Sequence, residues 1–475
     1  MTKIIPLQNP QIPAEPPAEM EPATPEDHVL LKKLIWVYFW LLILEGALRK
    51  WVLPGLANPL LIVRDPVVIL IYIVALSRDL FPKNGFIVAI LALAVASGVV
   101  SEMAGHGTLL ITGYGLRTDF LHLPLIFLMA KILTAKDVAR IGRWLLILAF
   151  PMAALVLAQF RAGPDSLLNV GAGGGIGGQI EVDLGKIRPP GTFAFTSGLV
   201  SFLALVAAYV LSAQMRKQSA NAKLTTAAMP ALGLMLGVSG SRTSIVAVTL
   251  IMAGALFGMF RQRELFGKSI KGFIALAVVF LALSSWSEFR TGLAVHESRF
   301  SSAGGLQDGI ILRTLSGFTL PFKAIATTPL FGEGLGMGTN AAGGILYGER
   351  RFLLAEDEWE RHIRESGALF GLSFIALRVA IVIYIGRRAL AALDRKNPLP
   401  LLLFCALVPS LLNGQLGVPT ILGFAVFTAG LCLAEAESTE TPFQRPPGAA
   451  RPLPLPVAAP VLRGRSVYAE LLHGD

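Results

Sequence analysis

Charged side chains are scarce in this chain: Asp, Glu, Lys and Arg make up 15% of its 475 residues, against about 25% in ordinary soluble domains. With 54% hydrophobic residues and a mean hydropathy of +0.64, that shortage excludes a soluble globule and indicates a polytopic membrane protein. Cysteine is nearly missing. Cys405 and Cys432 both lie in apolar runs, which excludes a disulfide framework and a thiolate metal site. The N-terminal stretch "MTKIIPLQNPQIPAEPPAEMEPATPEDH" lacks a basic region leading into an apolar core and lacks a small-residue cleavage site. It reads as a Pro/Glu-rich disordered tail over residues 1–30 and not as a signal peptide. The formal net charge of +10 does not call for nucleic acid, because membrane proteins collect Lys and Arg in their cytoplasmic loops.

What is present is a series of apolar runs. Broken by charges or by Gly and Pro, they give twelve candidate spans over residues 31–434, from 31–48 to 367–386, 399–416 and 418–434. A span needs about 20 residues and must be helical, so that every backbone group is paired inside it. The expected fold is therefore an all-α membrane domain of about twelve transmembrane helices. Alternate loops carry the basic residues: Arg78 and Lys83, then Lys131 to Arg143, Arg216 to Lys223, Arg261 to Lys271, and Arg387 to Lys396. The positive-inside rule then places both termini in the cytoplasm. It also puts the one long connection, 288–366, on the extracytoplasmic side. A Pro-rich cytoplasmic tail is expected over 435–475.

The glycine-alternating stretch "FGEGLGMG" (331–338) lies in that long loop. A Walker-type phosphate loop needs a lysine after its last glycine, and here Thr339 and Asn340 follow. The stretch is expected to be a turn that lets backbone approach a ligand or a neighbouring helix. A second glycine-rich segment, "GAGGGIGG" (171–178), is expected to be a mobile lid or spacer.

Ionisable groups inside a bilayer are costly and are candidates for function. Glu45 and Arg49 stand one helical turn apart, as an internal ion pair would. His122, three residues after Asp119, is expected to bond to it, and Arg378 to anchor the bundle. Three arginines stand at span mouths on the outer side: Arg188 in "IRPPGTF", Arg242 in "SGSRTS" and Arg313 in "ILRTLSGF". The guanidinium fork suits bidentate phosphate recognition, so the three could hold a diphosphate. Glu356, Asp357, Glu358, Glu360, His362 and Glu365 crowd into ten residues at the start of the tenth span. Clustered carboxylates could yield a general base, or could simply form a solvated amphipathic helix. No metal site is expected, because a single histidine is present and helical spacing scatters the carboxylates.

In the order "RPPGTFAFTSG", "GVSGSRTS", "ILRTLSGFTLPFKAIATTPLFGEGLGMGT" and "RESGALFGLSFIALR", the pattern over residues 180–390 resembles the O-antigen polymerase and O-antigen ligase superfamily of bacterial membrane glycosyltransferases. The resemblance implies glycosyl transfer on the periplasmic face of the inner membrane from an undecaprenyl diphosphate-linked glycan, with no cofactor or obligatory metal. It assigns Arg188, Arg242 and Arg313 to the diphosphate. Where many family members carry a His-Asn pair, this chain has "EDEWERH", so the candidates for the base are Glu358, then His362, then Glu356. That departure weakens the ligase match and favours an exopolysaccharide or O-antigen polymerase. The expected partners are the lipid-linked glycan, membrane lipids and a polysaccharide export machinery. The alternatives are a ligase to a lipid A core and a transporter of lipid-linked sugar.

Overall fold

The structure is a computed structural model that describes residues 25–105, 107–216, 222–302, 313–348 and 352–438. The tails expected before residue 25 and after residue 438 lie outside the described residues. Among the described residues the chain folds into sixteen α-helices. The first half holds α1 (Pro25–Ala47), α2 (Arg64–Ser77), α3 (Gly85–Ala104), α4 (Leu109–Leu116), α5 (Leu123–Ile132), α6 (Ala135–Arg161), α7 (Thr196–Met215) and α8 (Ala222–Val238). The second holds α9 (Arg242–Arg261), α10 (Arg263–Ser284), α11 (Ser287–Ser302), α12 (Arg313–Ile325), α13 (Asn340–Tyr347), α14 (Glu358–Asp394), α15 (Leu399–Asn413) and α16 (Pro419–Ser438). One small antiparallel pair, β1 (Glu181–Val182) and β2 (Lys186–Ile187), lies before α7.

Among the described residues seven helices are long and apolar enough to cross a membrane: α2 with the turn before it, α3, α6, α7, α9, α14 and α16. The number rises to eight if α10 and α11, bent by 99° at their junction, make one broken span. This is a membrane-embedded helical protein. α7 and α16 form its centre, with 83% and 89% of their apolar windows buried, whereas α2 and α3 have 28% buried and stand at the periphery.

Two boundaries differ from the sequence reading. α1 starts at Pro25, so residues 25–30 of the expected tail are helical. Proline in the first turn with Glu26 and Asp27 beside it is a helix-start signature, and Asp27 lies 3.2 Å from Arg78 across the bundle end. The long connection 288–366 is also more ordered than a loop: it contains α11, α12, α13 and the first turns of α14.

α14 breaks where its composition changes. Gly367 adopts φ 70° and ψ 177°, a conformation essentially restricted to glycine, and it separates the acidic turns 358–366 from the apolar remainder. A Cβ there would also collide with the Leu330 carbonyl oxygen. Gly367→Ala is expected to lower stability by about 1–3 kcal/mol from the backbone conformation alone. A melting curve of the purified variant that overlays the wild type would refute this.

The contacts between connections sort into two ends. At one end Arg49 accepts from Gly173, Lys50 donates to Gly191, Arg161 pairs with Glu288, Leu335 docks on Ser101, and Gln415 donates to the Glu356 carbonyl. At the other end Lys32 pairs with Asp137, Arg261 with Asp394, Lys396 with Glu264, and Arg216 with Glu435. The candidate site lies at the first end.

Candidate functional site

The acidic start of α14 is not a solvated amphipathic helix. Glu358, Arg361, His362 and Glu365 follow a three- and four-residue spacing that puts them on one face, and all are buried. Glu360 and Arg364 fall on the opposite, more exposed face and pair with each other at 2.8 Å. Arg361 is the centre of the buried face. Its guanidinium donates to Glu365 at 2.8 Å, to Asp119 at 3.0 Å and to both oxygens of Glu358 at 3.1 Å. Arg378, from the apolar part of α14, donates to Glu358 at 3.0 Å and to the carbonyls of Leu411 and Gly414. Its expected role as an anchor thus takes a definite form: it ties α14 to the end of α15 through the Leu411 and Gly414 carbonyls. His362 lies between Asp119 (3.4 Å) and Glu358 (3.2 Å), behind the carboxylate.

Asp119, His362 and Glu365 each bring one ligand atom within 4.8 Å of the others, a set that could geometrically hold a metal ion. The Arg361 guanidinium donates to both of those carboxylates and already supplies positive charge there. The sequence reading missed Arg361 because it followed the acids. The signal was present: an arginine three residues after Glu358 and four before Glu365.

The glycine stretch is packed against this cluster. The Gly338 amide donates to Glu365 Oε1 at 2.8 Å, Gly334 to the Glu365 carbonyl at 2.9 Å, and Leu335 to Ser101 Oγ at 2.8 Å. A Cβ on Gly338 would stand 2.6 Å from Arg361 Cγ, and one on Gly336 would strike the backbone of Ile111 and Gly115 in α4. The alternation therefore serves close backbone approach to two neighbouring helices, and these amides are spent on protein partners.

A second charged network lies beside the first. Glu45 and Arg49 pair at 3.0 Å, as their spacing predicts, and Arg64 joins them 3.3 Å from Glu45. Asp119 and His122 do not bond to each other. His122 bonds Asp65 at 2.9 Å and the Tyr38 hydroxyl at 3.1 Å, while Asp119 turns to Arg361. Residues 117–121 form a π-turn between α4 and α5, and the wider turn moves positions 119 and 122 off a shared face.

Of the three arginines expected at a diphosphate, one packs its side-chain stem against the turn that precedes another. Arg188 follows β2, and its Cγ would lie 3.5 Å from a Cβ on Gly240 in the turn that leads to Arg242. Arg242 opens α9 and donates to the Arg299 carbonyl of α11 at 3.3 Å. Arg313 begins α12, but its side chain lies outside the described residues. α11 also brings the buried His296, whose Nε2 is 3.2 Å from the Leu236 carbonyl. No motif announced α11 as part of this region.

Close by, Lys50 is buried at 2% exposure, donates to the Gly191 carbonyl at 2.6 Å and stacks over Trp51. Burial pushes its ammonium down to about 7. Between pH 7 and the ordinary lysine range the unfolded chain binds this proton and the folded chain does not, so stability rises with pH. Below 7 both states carry it and the burial penalty is complete. The melting-temperature difference between wild type and Lys50→Met is therefore expected to shift toward the wild type on going from about pH 6.5 to about pH 9.5. A difference independent of pH would exclude this assignment.

Above Glu358 the end of the bundle opens into a cavity of about 240 Å³ lined by Glu356, Asp357, Glu358, Asn413 and Gln415. It adjoins a narrower cleft bounded by Gly338, Thr339, Asn340, Phe352, Arg361 and Val418. Of the three candidate bases, Glu356 is exposed at the cavity mouth, Glu358 reaches the cavity from its buried position, and His362 lies behind it. No protein-family model matches the chain, and no curated protein matches it.

Proposed function

We propose that this protein polymerises lipid-linked oligosaccharide repeat units, transferring a glycan from an undecaprenyl diphosphate-linked donor on the periplasmic face of a bacterial inner membrane. In this reading α1, the α4–α5 pair, α8, α10 and α15 cross the bilayer together with the seven long helices, giving twelve spans with both termini cytoplasmic. The end of the bundle that carries Arg188, Arg242 and the cavity then faces the periplasm. The observation that carries the reading is that Arg188, whose stem packs on the turn before Arg242, and a cavity with a carboxylate in its wall occupy the same end of one helical bundle. The ordered motifs of residues 180–390 support it.

The chemistry follows from charge. An acceptor hydroxyl attacks the anomeric carbon, the bond to the diphosphate oxygen breaks, and the electron pair leaves with the lipid diphosphate. Arg188 and Arg242 stabilise the charge developing on that leaving group, with Arg313 as a third ligand. Glu358 takes the hydroxyl proton, and His362 and Asp119 behind it hold the carboxylate in place and can share the proton. Glu356 orients the incoming hydroxyl from the cavity mouth. Neither a nucleotide nor a cofactor enters this scheme, and the export machinery takes the product. A ligase would use the same groups with a lipid A core as acceptor.

A second reading, transport of a lipid-linked sugar, draws on the network of Glu45, Arg64, Tyr38, His122 and Asp65, which the transfer scheme does not use. Purified protein given a defined undecaprenyl diphosphate glycan separates the readings. Polymerase activity yields a ladder of longer glycans and free lipid diphosphate. Unchanged donor that has crossed the bilayer of a proteoliposome would establish transport instead.

A further inference from the structure

α14 does not run straight. A continuous helix would hold Glu358 and Arg378 about 30 Å apart at its usual rise per residue, yet the two side chains meet at 3.0 Å. The ring of His362 likewise meets that of Phe374 edge-on at 4.5 Å, and a Cβ on Gly371 would stand 2.7 Å from the His362 carbonyl oxygen. Gly367 is therefore the tip of a helical hairpin whose acidic arm lies along its apolar arm. The neighbouring α3 gives the depth of that hairpin. Phe86, near the start of α3, meets Tyr384 at 5.2 Å, and a Cβ on Gly105, just past its end, would stand 2.8 Å from Gly334, whose amide donates to Glu365 beside the tip. α3 and the apolar arm thus run antiparallel over about 27 Å each, close to the thickness of a hydrocarbon core. Between Val88 and Val99 every exposed side chain of α3 is apolar, and its first charge, Glu102, comes only as the helix ends. The lipid-facing surface accordingly extends close to the level of the tip.

α12 is seated below that level. Its Ala324 and Ile325 pack with Trp359 and Ile363 of the acidic arm and with Ile375 and Val379 of the apolar arm. Ile375 and Val379 stand about 12 and 18 Å along the helix from Gly367, well inside the span. The two sides of α12 differ: Gly317, Pro321 and Ala324 are buried, whereas Leu315, Thr319 and Phe322 are exposed on the opposite face, Phe322 to 66%. Ile375 and Val379 each precede by one position an exposed alanine on the outer stripe of α14, Ala376 and Ala380, so α12 borders that stripe. A leucine and a phenylalanine turned outward at this depth, beside a lipid-facing stripe, match acyl chains. Lys323, also exposed, lies at the edge of the face, where its stem carries the ammonium away from the chains. We propose that α12 is a membrane-embedded helix and that its Leu315–Thr319–Phe322 face contacts the acyl chains of the leaflet at this end of the bundle. It then forms a wall between those chains and the charged arm of α14. The proposal does not draw on the glycan-transfer reading, and it turns the connection 288–366 from a segment wholly outside the bilayer into one that re-enters it.

The test places a nitroxide label on Leu315→Cys and Phe322→Cys, one at a time, in full-length protein reconstituted into liposomes of phosphatidylethanolamine and phosphatidylglycerol. Cys405 and Cys432 are buried, and unsubstituted protein measures background labelling. Power-saturation EPR then reads access to oxygen, which concentrates among acyl chains, and to nickel ethylenediaminediacetate, which stays in water. Val95→Cys on α3 sets the lipid reference, and Glu181→Cys, exposed in β1, sets the aqueous one. Both α12 labels are expected to match Val95→Cys in oxygen access and to show several-fold less nickel access than Glu181→Cys. Nickel access equal to that of Glu181→Cys overturns the proposal, because the face then meets water. Low access to both reagents overturns it as well, because the face is then covered by protein, such as a second copy of the chain. A variant whose size-exclusion profile departs from the wild type is replaced by Thr319→Cys on the same face. Glycan transfer, present or absent, does not alter this readout.

Discussion

Arg361→Ala is expected to abolish the folded protein or to lower its melting temperature more than any other single change at the site. The guanidinium holds Asp119, Glu358 and Glu365, each at most 3% exposed. Once it is removed, three buried carboxylates remain, with the Arg378 guanidinium 3.0 Å from Glu358. Breaking a buried ion pair by deleting one partner costs about 3–5 kcal/mol, because the remaining charge has no solvent to take it up. Arg361→Lys is expected to recover only part of the loss, since an ammonium lacks the planar fork that reaches three acids at once. Arg364→Ala on the outer face removes a partly exposed pair and is expected to change stability by less than about 1 kcal/mol. Size-exclusion profiles and melting curves in detergent give the comparison. If the Arg361 and Arg364 variants behave alike, the buried network does not support the fold.

Arg242→Ala is expected to abolish long-chain polysaccharide in cells while lipid-linked single repeat units accumulate. The residue lies partly exposed at the first turn of α9, outside the packed core, so its loss is expected to spare folding. Removing one preorganised donor from a developing oxyanion slows transfer by roughly 10²–10³-fold. Adding Arg188→Ala should cost less than a second factor of that size if the two side chains serve one diphosphate. Gel analysis of chain length, with quantification of the lipid-linked pool, reads the effect. Wild-type chain lengths in the double variant would end the assignment of these arginines, and repeat units retained on the cytoplasmic face would favour transport.

Several parts of this site were legible from residue spacing. Glu45 and Arg49 had to share a helical face, and they pair. The missing lysine after Gly338 removed the phosphate-loop reading, and the backbone approach expected of the glycines occurs against α4 and α14. The clustered acids signalled unusual chemistry but not its form: composition does not reveal whether a helix faces water or protein, and α12, α15 and the glycine turn together cover this one. The Asp119–His122 pairing failed because regular helical spacing was assumed across a π-turn.

The amino-acid order by itself determined the class of protein and its apolar helices, because hydrophobic length and backbone pairing are local properties that each segment satisfies alone. Which charges meet was decided by the tertiary structure. Arg361 reaches Asp119 across 242 positions of chain, and Arg242 reaches the carbonyl of Arg299 across 57. Such contacts depend on how helices pack around α7 and α16, and in a low-dielectric interior that placement sets whether a carboxylate is a neutralised structural charge or a group available for chemistry.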